Sequence, residues 1–476
     1  MGERASTVSE RQLLRALTHD GCPVCDHLRN HEAEFRFWFI AERYHQRELL
    51  DALTNSLGFC VDHGELLADS PRSRSPMTSA HEVVSRRTLS RFEAGEIDRT
   101  TWSSLATCPA CASFERAGDR TVSFLGHGLE TSAAEYGDPG IACFPHFRSL
   151  AATVSPSLFH TLLPVQRRQF HDVRKTVRSM RENPTTATDS SLPSELETAL
   201  QLTVGHDIHP SALPPPDVDP NATRDPVGDF TALLDSGDGC PVCLEVSRAW
   251  QTWLAWLLHA DCDGDRLHDV LPACREHVWG CVRYGDTDLA MAIADAASDP
   301  VASRLTRAMR LLDDDPESRE DVSATLAHVD SLRRFVPRLR DDGTTRAREA
   351  IRRPIRCPVC DRMETARDRA VELLLALLEQ PRFRQAFEDG YGLCLNHCSY
   401  ALARNPSPES AALLRSDEAA KVARLQWELR EAQRKQAWDV RPEGKGAEQR
   451  AWLRAIARFS GRYTPLPPDD APSGER

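Results

Sequence analysis

The chain has 476 residues, which is too long for one ordinary hydrophobic core and favours two or three domains. Hydrophobic residues make up 41% of it and charged residues 27%, as in soluble globular proteins. The net charge of −12 argues against a general affinity for DNA, RNA or anionic membranes, because binding to those partners requires clustered positive charge.

The N-terminal sequence and the lack of a long apolar run predict a cytoplasmic protein. The first residues, MGERASTVSERQLLRAL, lack the apolar segment of a signal peptide, and no run of about 18 apolar residues predicts membrane insertion. Only four of the 59 basic residues are lysines, a bias typical of high-GC bacterial genomes. We therefore expect a bacterial, cytoplasmic protein whose fifteen cysteines do not form a disulfide framework.

Four Cys-Pro-x-Cys motifs recur along the chain, and each is followed by a Cys-x-x-His motif after 30 to 34 residues. The four sets are Cys22, Cys25, Cys60 and His63; Cys108, Cys111, Cys143 and His146; Cys240, Cys243, Cys274 and His277; and Cys357, Cys360, Cys394 and His397. This near-constant spacing indicates an internal repeat. The three remaining cysteines, Cys262, Cys281 and Cys398, are expected to be small packing residues.

The segments within each repeat read as helices. Proline suits the first helical turn, where its missing N–H costs nothing, so each CPxC motif is predicted at a helix start. The first repeat continues with HLRNHEAEFRFWFIAERYHQRELLDALTNSLGF, which is rich in helix formers and broken near the third cysteine. This pattern predicts a long helix, a turn and a shorter helix, and hence an all-α fold.

Three thiolates and one imidazole form a standard tetrahedral ligand set for zinc. In a helical first turn, CxxC places two sulfurs one turn apart, and the positive helix N-terminus stabilises thiolates. We therefore predict up to four structural zinc ions, each held within one repeat and clamping the open end of a helical hairpin. Four protein ligands leave no position for a catalytic water. An iron–sulfur cluster and a thiol–disulfide site remain open as alternatives.

The motifs resemble those of uncharacterised bacterial helical proteins with repeated CPxC…GxCxxH arrangements. The resemblance is sharpest in the first repeat, with Gly58-Phe59-Cys60, and in the fourth, with Gly392-Leu393-Cys394. The second and third repeats lack the glycine before the third cysteine. The resemblance implies zinc binding on a helical background and implies no reaction.

The repeats group in pairs, which predicts two pseudo-repeated helical halves. The first half spans residues 1–182, with units 14–75 and 100–182. A Pro/Ser/Thr-rich linker with a short helix near Leu192–Leu202 spans 183–228. The second half spans 229–462, with units 229–300 and 350–440 joined by a helical connector, and 463–476 is predicted to be a disordered tail. Closing helices are expected near Val165–Arg181 and Asp417–Trp438.

Two further patterns bear on function. An apolar stripe at Trp250, Trp253, Trp256 and Leu257 is typical of a core-facing helix, with a partner groove as the alternative. Two arginine-rich segments are interpreted as solvated helix faces, with phosphate or nucleic-acid contact as the alternative. Their members are Arg167, Arg168, Arg174, Lys175, Arg178 and Arg181, and then Arg333, Arg334, Arg338, Arg340, Arg346, Arg348, Arg352, Arg353 and Arg356.

The sequence favours a binding protein over an enzyme and leaves the question of an enzyme open. It contains no phosphate-binding loop, dinucleotide fingerprint, nucleophile elbow or HExxH motif. We interpret the protein as a non-enzymatic, structural-zinc scaffold or adaptor that binds another protein. The alternatives are an iron–sulfur or thiol redox protein and an arginine-mediated nucleic-acid binder.

Overall fold

The computed structural model describes residues 21–132, 142–182, 192–208, 212–219, 221–259, 267, 273–313, 343–354, 356–437, 439–440 and 443–465. Within these ranges all regular structure is helical, which confirms the predicted all-α fold. None of the helices described there combines the length and the apolar character that a bilayer crossing requires.

Nine helices cover the first two repeats and the segment that follows them. They are α1 (Pro23–Ala41), α2 (Arg47–Asn55), α3 (Val61–Ala68), α4 (Arg74–Glu93), α5 (Thr101–Ser104), α6 (Pro109–Ser132), α7 (Phe144–Thr153), α8 (Pro156–Glu182) and α9 (Ser194–Val204). The long helix and shorter helix predicted for the first repeat are α1 and α2. The predicted closing helix is α8, which begins earlier than expected, at a proline.

Ten further helices cover the rest of the described chain. They are α10 (Pro226–Ser236), α11 (Pro241–His259), α12 (Arg275–Tyr284), α13 (Thr287–Asp313), α14 (Gly343–Arg352), α15 (Pro358–Leu378), α16 (Pro381–Asp389), α17 (Leu395–Ala403), α18 (Pro408–Arg434) and α19 (Ala451–Ser460). The second closing helix, α18, has 27 residues, the same length as α8. Residues 314–342 of the predicted connector and 466–476 of the predicted tail lie outside the described residues.

The chain forms two compact units, and each unit takes segments from both sequence halves. Unit 1 comprises Met1–Asn30, Arg116–Ile208 and Asp261–Pro358. Unit 2 comprises His31–Glu115, His209–Ala260 and Val359–Arg476. This division differs from the predicted halves 1–182 and 229–462, which follow the order of the sequence.

In unit 1, helix α13 packs along α8 and α14, and α9 packs against α13, α8 and α7. Helix α9 is the short helix expected near Leu192–Leu202, and its Leu196 and Leu200 are fully buried. Part of the predicted linker therefore belongs to the core of this unit. Ion pairs reinforce the contact between α8 and α13, where Arg178 and Arg181 both bind Asp295.

Unit 2 repeats this packing scheme with the corresponding helices of the other repeats. Helix α4 packs along α18, and α19 packs against α18, α3 and α4. Their shared core includes Phe39, Phe59, Met77, Leu429 and Phe459. Helix α4 follows the first CxxH motif and α18 the fourth, whereas α8 and α13 in unit 1 follow the second and third. The four repeats are therefore interleaved between the two units.

Candidate metal centres

Four clusters bring together all sixteen predicted ligands, and each contains three cysteines and one histidine. Cluster 1 is Cys22, Cys25, Cys143 and His146; cluster 2 is Cys60, His63, Cys108 and Cys111; cluster 3 is Cys240, Cys243, Cys394 and His397; and cluster 4 is Cys274, His277, Cys357 and Cys360. The candidate ligand atoms of each cluster lie within 4.8 Å of one another. Cluster 1 lies in unit 1, and clusters 2 and 3 lie in unit 2.

Each cluster is built from the N-termini of two helices. The four prolines of the CPxC motifs are the first helical residues of α1, α6, α11 and α15. The first cysteines of the four CxxH motifs have extended backbone and are the N-caps of α3, α7, α12 and α17. The CPxC motifs thus lie at helix starts as predicted, and the positive ends of both helix dipoles favour negative charge on the sulfurs.

The pairing of the motifs differs from the prediction. Each CPxC was expected to meet the CxxH of its own repeat, for example Cys22 and Cys25 with Cys60 and His63. In the structure the CPxC of one repeat meets the CxxH of the neighbouring repeat, so that repeats one and two exchange ligands, as do repeats three and four. The predicted zinc-clamped hairpin within one repeat is therefore wrong.

Helix lengths explain why a repeat does not close on itself. Helix α1 has 19 residues and carries the chain about 28 Å from the Cys22–Cys25 motif at 1.5 Å per residue. The following helix α2 has nine residues and returns over only about 13 Å. Cys60 comes five positions after the end of α2 at Asn55, outside any long return helix. The other two ligands of the site at Cys22 and Cys25 therefore come from the second repeat, at Cys143 and His146.

The distances within the clusters match the edges of a tetrahedron around one metal ion. With Zn–S bonds of 2.3 Å and Zn–N bonds of 2.0–2.1 Å, the edges are about 3.8 Å between sulfurs and about 3.6 Å between sulfur and nitrogen. In cluster 1 the Cys25–Cys143 Sγ separation is 3.7 Å, and His146 Nδ1 lies 3.4 Å from Cys22 and Cys25 and 3.2 Å from Cys143. These separations also exclude a disulfide, whose S–S bond is about 2.05 Å.

Clusters 2 and 3 have the same geometry, with the histidine Nδ1 facing the sulfurs. In cluster 2, His63 Nδ1 lies 3.1 to 3.9 Å from Cys60, Cys108 and Cys111. In cluster 3, the corresponding distances from His397 are 3.3 to 3.5 Å. The Cys60–Cys111 and Cys243–Cys394 sulfur pairs are each separated by 3.7 Å.

Hydrogen bonding among the three thiols sets their protonation in cluster 2. Hydrogen bonds with Cys111 and Cys60 hold the pKa of Cys108 well below its usual range. The same contacts with the Cys108 thiolate raise the pKa of Cys60 and raise that of Cys111 to about 12. Without a cation, two of the three thiols therefore stay protonated at neutral pH. A divalent ion binding there would displace both protons.

Two glycines against these clusters were not identified from the sequence. Gly205 follows α9 and lies against Cys25 and Cys143, and Gly461 follows α19 and lies against Cys243 and Cys394. Both have positive φ angles, +91° and +79°. The signal available in the sequence was a short helix ending in glycine, within the predicted linker for Gly205 and at the close of the second half for Gly461.

Most of the other predicted features belong to the packing. Cys281 and Cys398 are buried outside the clusters, as expected of packing residues, whereas Cys262 lies outside the described residues. Trp250 and Trp253 are buried, which confirms a core-facing stripe, but Trp256 is 38% exposed and does not belong to it.

The arginine-rich segments are partly used within unit 1. Arg174 of the first segment binds Asp299, in addition to the two pairs with Asp295. In the second segment, Arg348 donates a hydrogen bond to the Val154 carbonyl oxygen at 2.6 Å and stacks on Phe159. Arg333, Arg334, Arg338 and Arg340 lie outside the described residues. The arginines with these contacts are packing and ion-pairing groups, which weakens the case for a phosphate-binding face.

Comparison with known proteins supplies no family for this arrangement. The chain matches no family model, no curated protein and no solved structure.

Proposed function

We propose that the protein is a non-enzymatic scaffold or adaptor, held together by four structural zinc ions, that binds another protein. The observation that carries the zinc assignment is the tetrahedral spacing of three sulfurs and one Nδ1 atom. When bound, zinc would join two helix N-termini from different repeats. Its binding free energy, on the order of 10 kcal/mol per site, would then contribute to folding.

The ligand spacing supports a mononuclear centre over an iron–sulfur cluster. The ligands of a cluster bind different iron atoms and therefore lie farther apart than the edges of one tetrahedron. All candidate ligand atoms here fall within 4.8 Å of one another in every centre. The iron–sulfur alternative is therefore disfavoured.

The complete protein ligand sets support a structural role over a catalytic one. A catalytic zinc keeps a coordination position for water or substrate, whereas each cluster here provides four protein ligands. No disulfide joins the described cysteines, which suits a reducing compartment, and we propose a bacterial cytoplasmic location.

Exposed aromatic residues of unit 2 support a role in protein binding. Trp38 and Trp256 occupy the same position, the sixteenth, of the corresponding helices α1 and α11, and they are 41% and 38% exposed. Phe37 and Trp427 are more than 60% exposed. Tryptophan is enriched at protein interfaces because it buries a large area with few rotatable bonds.

Metal quantification with an absorption spectrum on untagged protein tests the zinc assignment. We expect about four zinc ions per chain and no visible chromophore, since one closed-shell ion fills each tetrahedral site. Iron with an absorption band near roughly 400 nm would instead support the iron–sulfur alternative. A folded chain without bound metal would refute the proposal.

Nucleic-acid binding, the second alternative, is tested by electrophoretic retardation of RNA and DNA at low salt. Because the net charge is −12 and the first arginine-rich segment is partly neutralised by Asp295 and Asp299, we expect no retardation. Salt-dependent retardation would support that alternative and contradict the scaffold proposal.

A further inference from the structure

The clusters fall into two classes by the exposure of their cysteine residues. In cluster 3, Cys240, Cys243 and Cys394 are at most 4% exposed, and His397 is the partly exposed ligand. In cluster 2 the order is reversed, because Cys60 and Cys111 are partly exposed and His63 is buried. Cluster 1 has the burial pattern of cluster 3, and cluster 4 that of cluster 2.

The backbone around Gly461 accounts for the burial of cluster 3. A Cβ atom at this position would lie 3.1 Å from Cys243 Sγ and 3.6 Å from Cys394 Sγ, so the main chain lies directly on the sulfurs. The next residue, Arg462, donates its backbone N–H to the Cys243 sulfur. The φ of +79° at Gly461 lets the chain turn over the site at the end of α19.

Unit 1 repeats this cover over cluster 1. A Cβ atom at Gly205 would lie 3.8 Å from the sulfurs of both Cys25 and Cys143. Trp279 holds the cover in place by donating its indole N–H to the Gly205 carbonyl oxygen at 2.9 Å. At cluster 2, the glycines on either side of Cys60 and His63 lie elsewhere: Gly58 lies against Phe459, and Gly64 against Ser460.

We propose that cluster 2 is an exchangeable metal site, open to small chelators and to soft thiol-reactive electrophiles, whereas cluster 3 retains its metal. The inference rests on the proposed function, since it assumes that the clusters hold zinc. Exchange requires an incoming ligand to approach the metal–sulfur bond, and reactivity of a cysteine sulfur follows its exposure. Cys60 and Cys111 offer that approach, and the covered sulfurs of Cys243 and Cys394 do not.

Zinc release from the full-length, zinc-loaded chain tests this difference directly. The chain is mixed with excess EDTA, samples are desalted at intervals, and the retained zinc is counted. We expect two kinetic phases separated by at least about tenfold, because two clusters have partly exposed thiols and two are covered.

Alkylation assigns the phases to residues without any substitution. Iodoacetamide reacts with the zinc-loaded chain as a cysteine sulfur attacks its carbon, forming a thioether and releasing iodide, and peptide mass spectrometry locates the product. We expect Cys60 and Cys111 to be modified at least about tenfold faster than Cys243 and Cys394, and zinc to be lost in parallel from the clusters with partly exposed cysteines.

The outcomes separate this inference from the proposed function. Four zinc ions that leave at one rate, or faster modification of Cys243 than of Cys111, would overturn the inference and leave the zinc scaffold intact. A folded chain that binds no metal would overturn both.

Discussion

The buried ion pair between Glu418 and Arg458 provides the sharpest test of the packing in unit 2. Glu418 is 1% exposed and Arg458 is 7% exposed, with the guanidinium 3.2 Å from the carboxylate. Arg458 also donates hydrogen bonds to the carbonyl oxygens of Leu393 and, at 2.8 Å, Tyr391. We predict that Arg458→Leu strongly destabilises unit 2, because it leaves a buried carboxylate without its cation.

In unit 1, uncharged residues occupy the positions that correspond to Glu418 and Arg458. Gln166 is the eleventh residue of α8, as Glu418 is of α18, and it donates a hydrogen bond at 3.1 Å to the carbonyl oxygen just before Cys143. Leu202 precedes Gly205 by three residues, as Arg458 precedes Gly461. The double variant Glu418→Gln/Arg458→Leu therefore copies the arrangement of unit 1 into unit 2.

The expected loss of stability follows from the burial of the Glu418 carboxylate. Burial raises the pKa of Glu418 from 4.5 to about 7, even though Arg458 lowers it. Removing one partner of a buried pair costs about 3–5 kcal/mol. We expect the single variant to lose this amount and the double variant to recover most of it, because a neutral amide replaces the carboxylate and donates a hydrogen bond to Leu393.

Thermal unfolding of the zinc-saturated full chain at pH 8 measures both variants. A loss of 3–5 kcal/mol corresponds to a decrease in Tm on the order of 10 °C for the transition that includes unit 2. The deficit of the single variant should shrink between pH 8 and pH 6. A carboxyl group with a raised pKa in the folded state stabilises the fold at low pH, and that stability is lost as pH rises. A single variant with unchanged Tm, or a double variant no better than the single, would refute the reasoning.

Three further predictions concern the metal centres and the interleaved fold. Gly461→Ala should accelerate zinc release from cluster 3, because its methyl group would lie 3.1 Å from Cys243 Sγ. Gly205→Ala is the matched control: it bears similar strain at positive φ but approaches no sulfur closer than 3.8 Å, so an equal gain in release rate would contradict the argument. Zinc binding to the apo chain should release about two protons per ion at cluster 2, so that zinc affinity rises with pH. Calorimetric titrations in buffers of different ionisation enthalpy should then give different heats, and equal heats would contradict this prediction. Both units contain segments of both fragments 1–208 and 209–476. Each fragment should therefore fold poorly alone, and the two should co-purify as a folded complex when they are expressed together. A fragment that unfolds cooperatively on its own, as measured by circular dichroism, would contradict the interleaving.

Much of the local structure and the ligand inventory could be predicted from the sequence. Proline in each CPxC motif marked the helix starts at Pro23, Pro109, Pro241 and Pro358, because the preference of proline for the first turn is local. All sixteen predicted ligand residues lie in the four clusters. They could be predicted because the motif recurs four times in the sequence, which is visible without knowledge of the fold. The short helix α9 was also predictable from its composition.

The pairing of those elements was decided by tertiary structure alone. Spacing along the chain joins Cys22 and Cys25 to Cys60 and His63, but the 19-residue helix α1 carries the chain away and the nine-residue α2 is too short to bring it back. Likewise, α8 packs on α13 and α18 packs on α4. In both pairs the apolar faces that bury one another belong to different repeats that are distant in sequence. Local preferences determine where helices begin and which ligands they carry, whereas helix length and the burial of apolar faces determine which ligands meet.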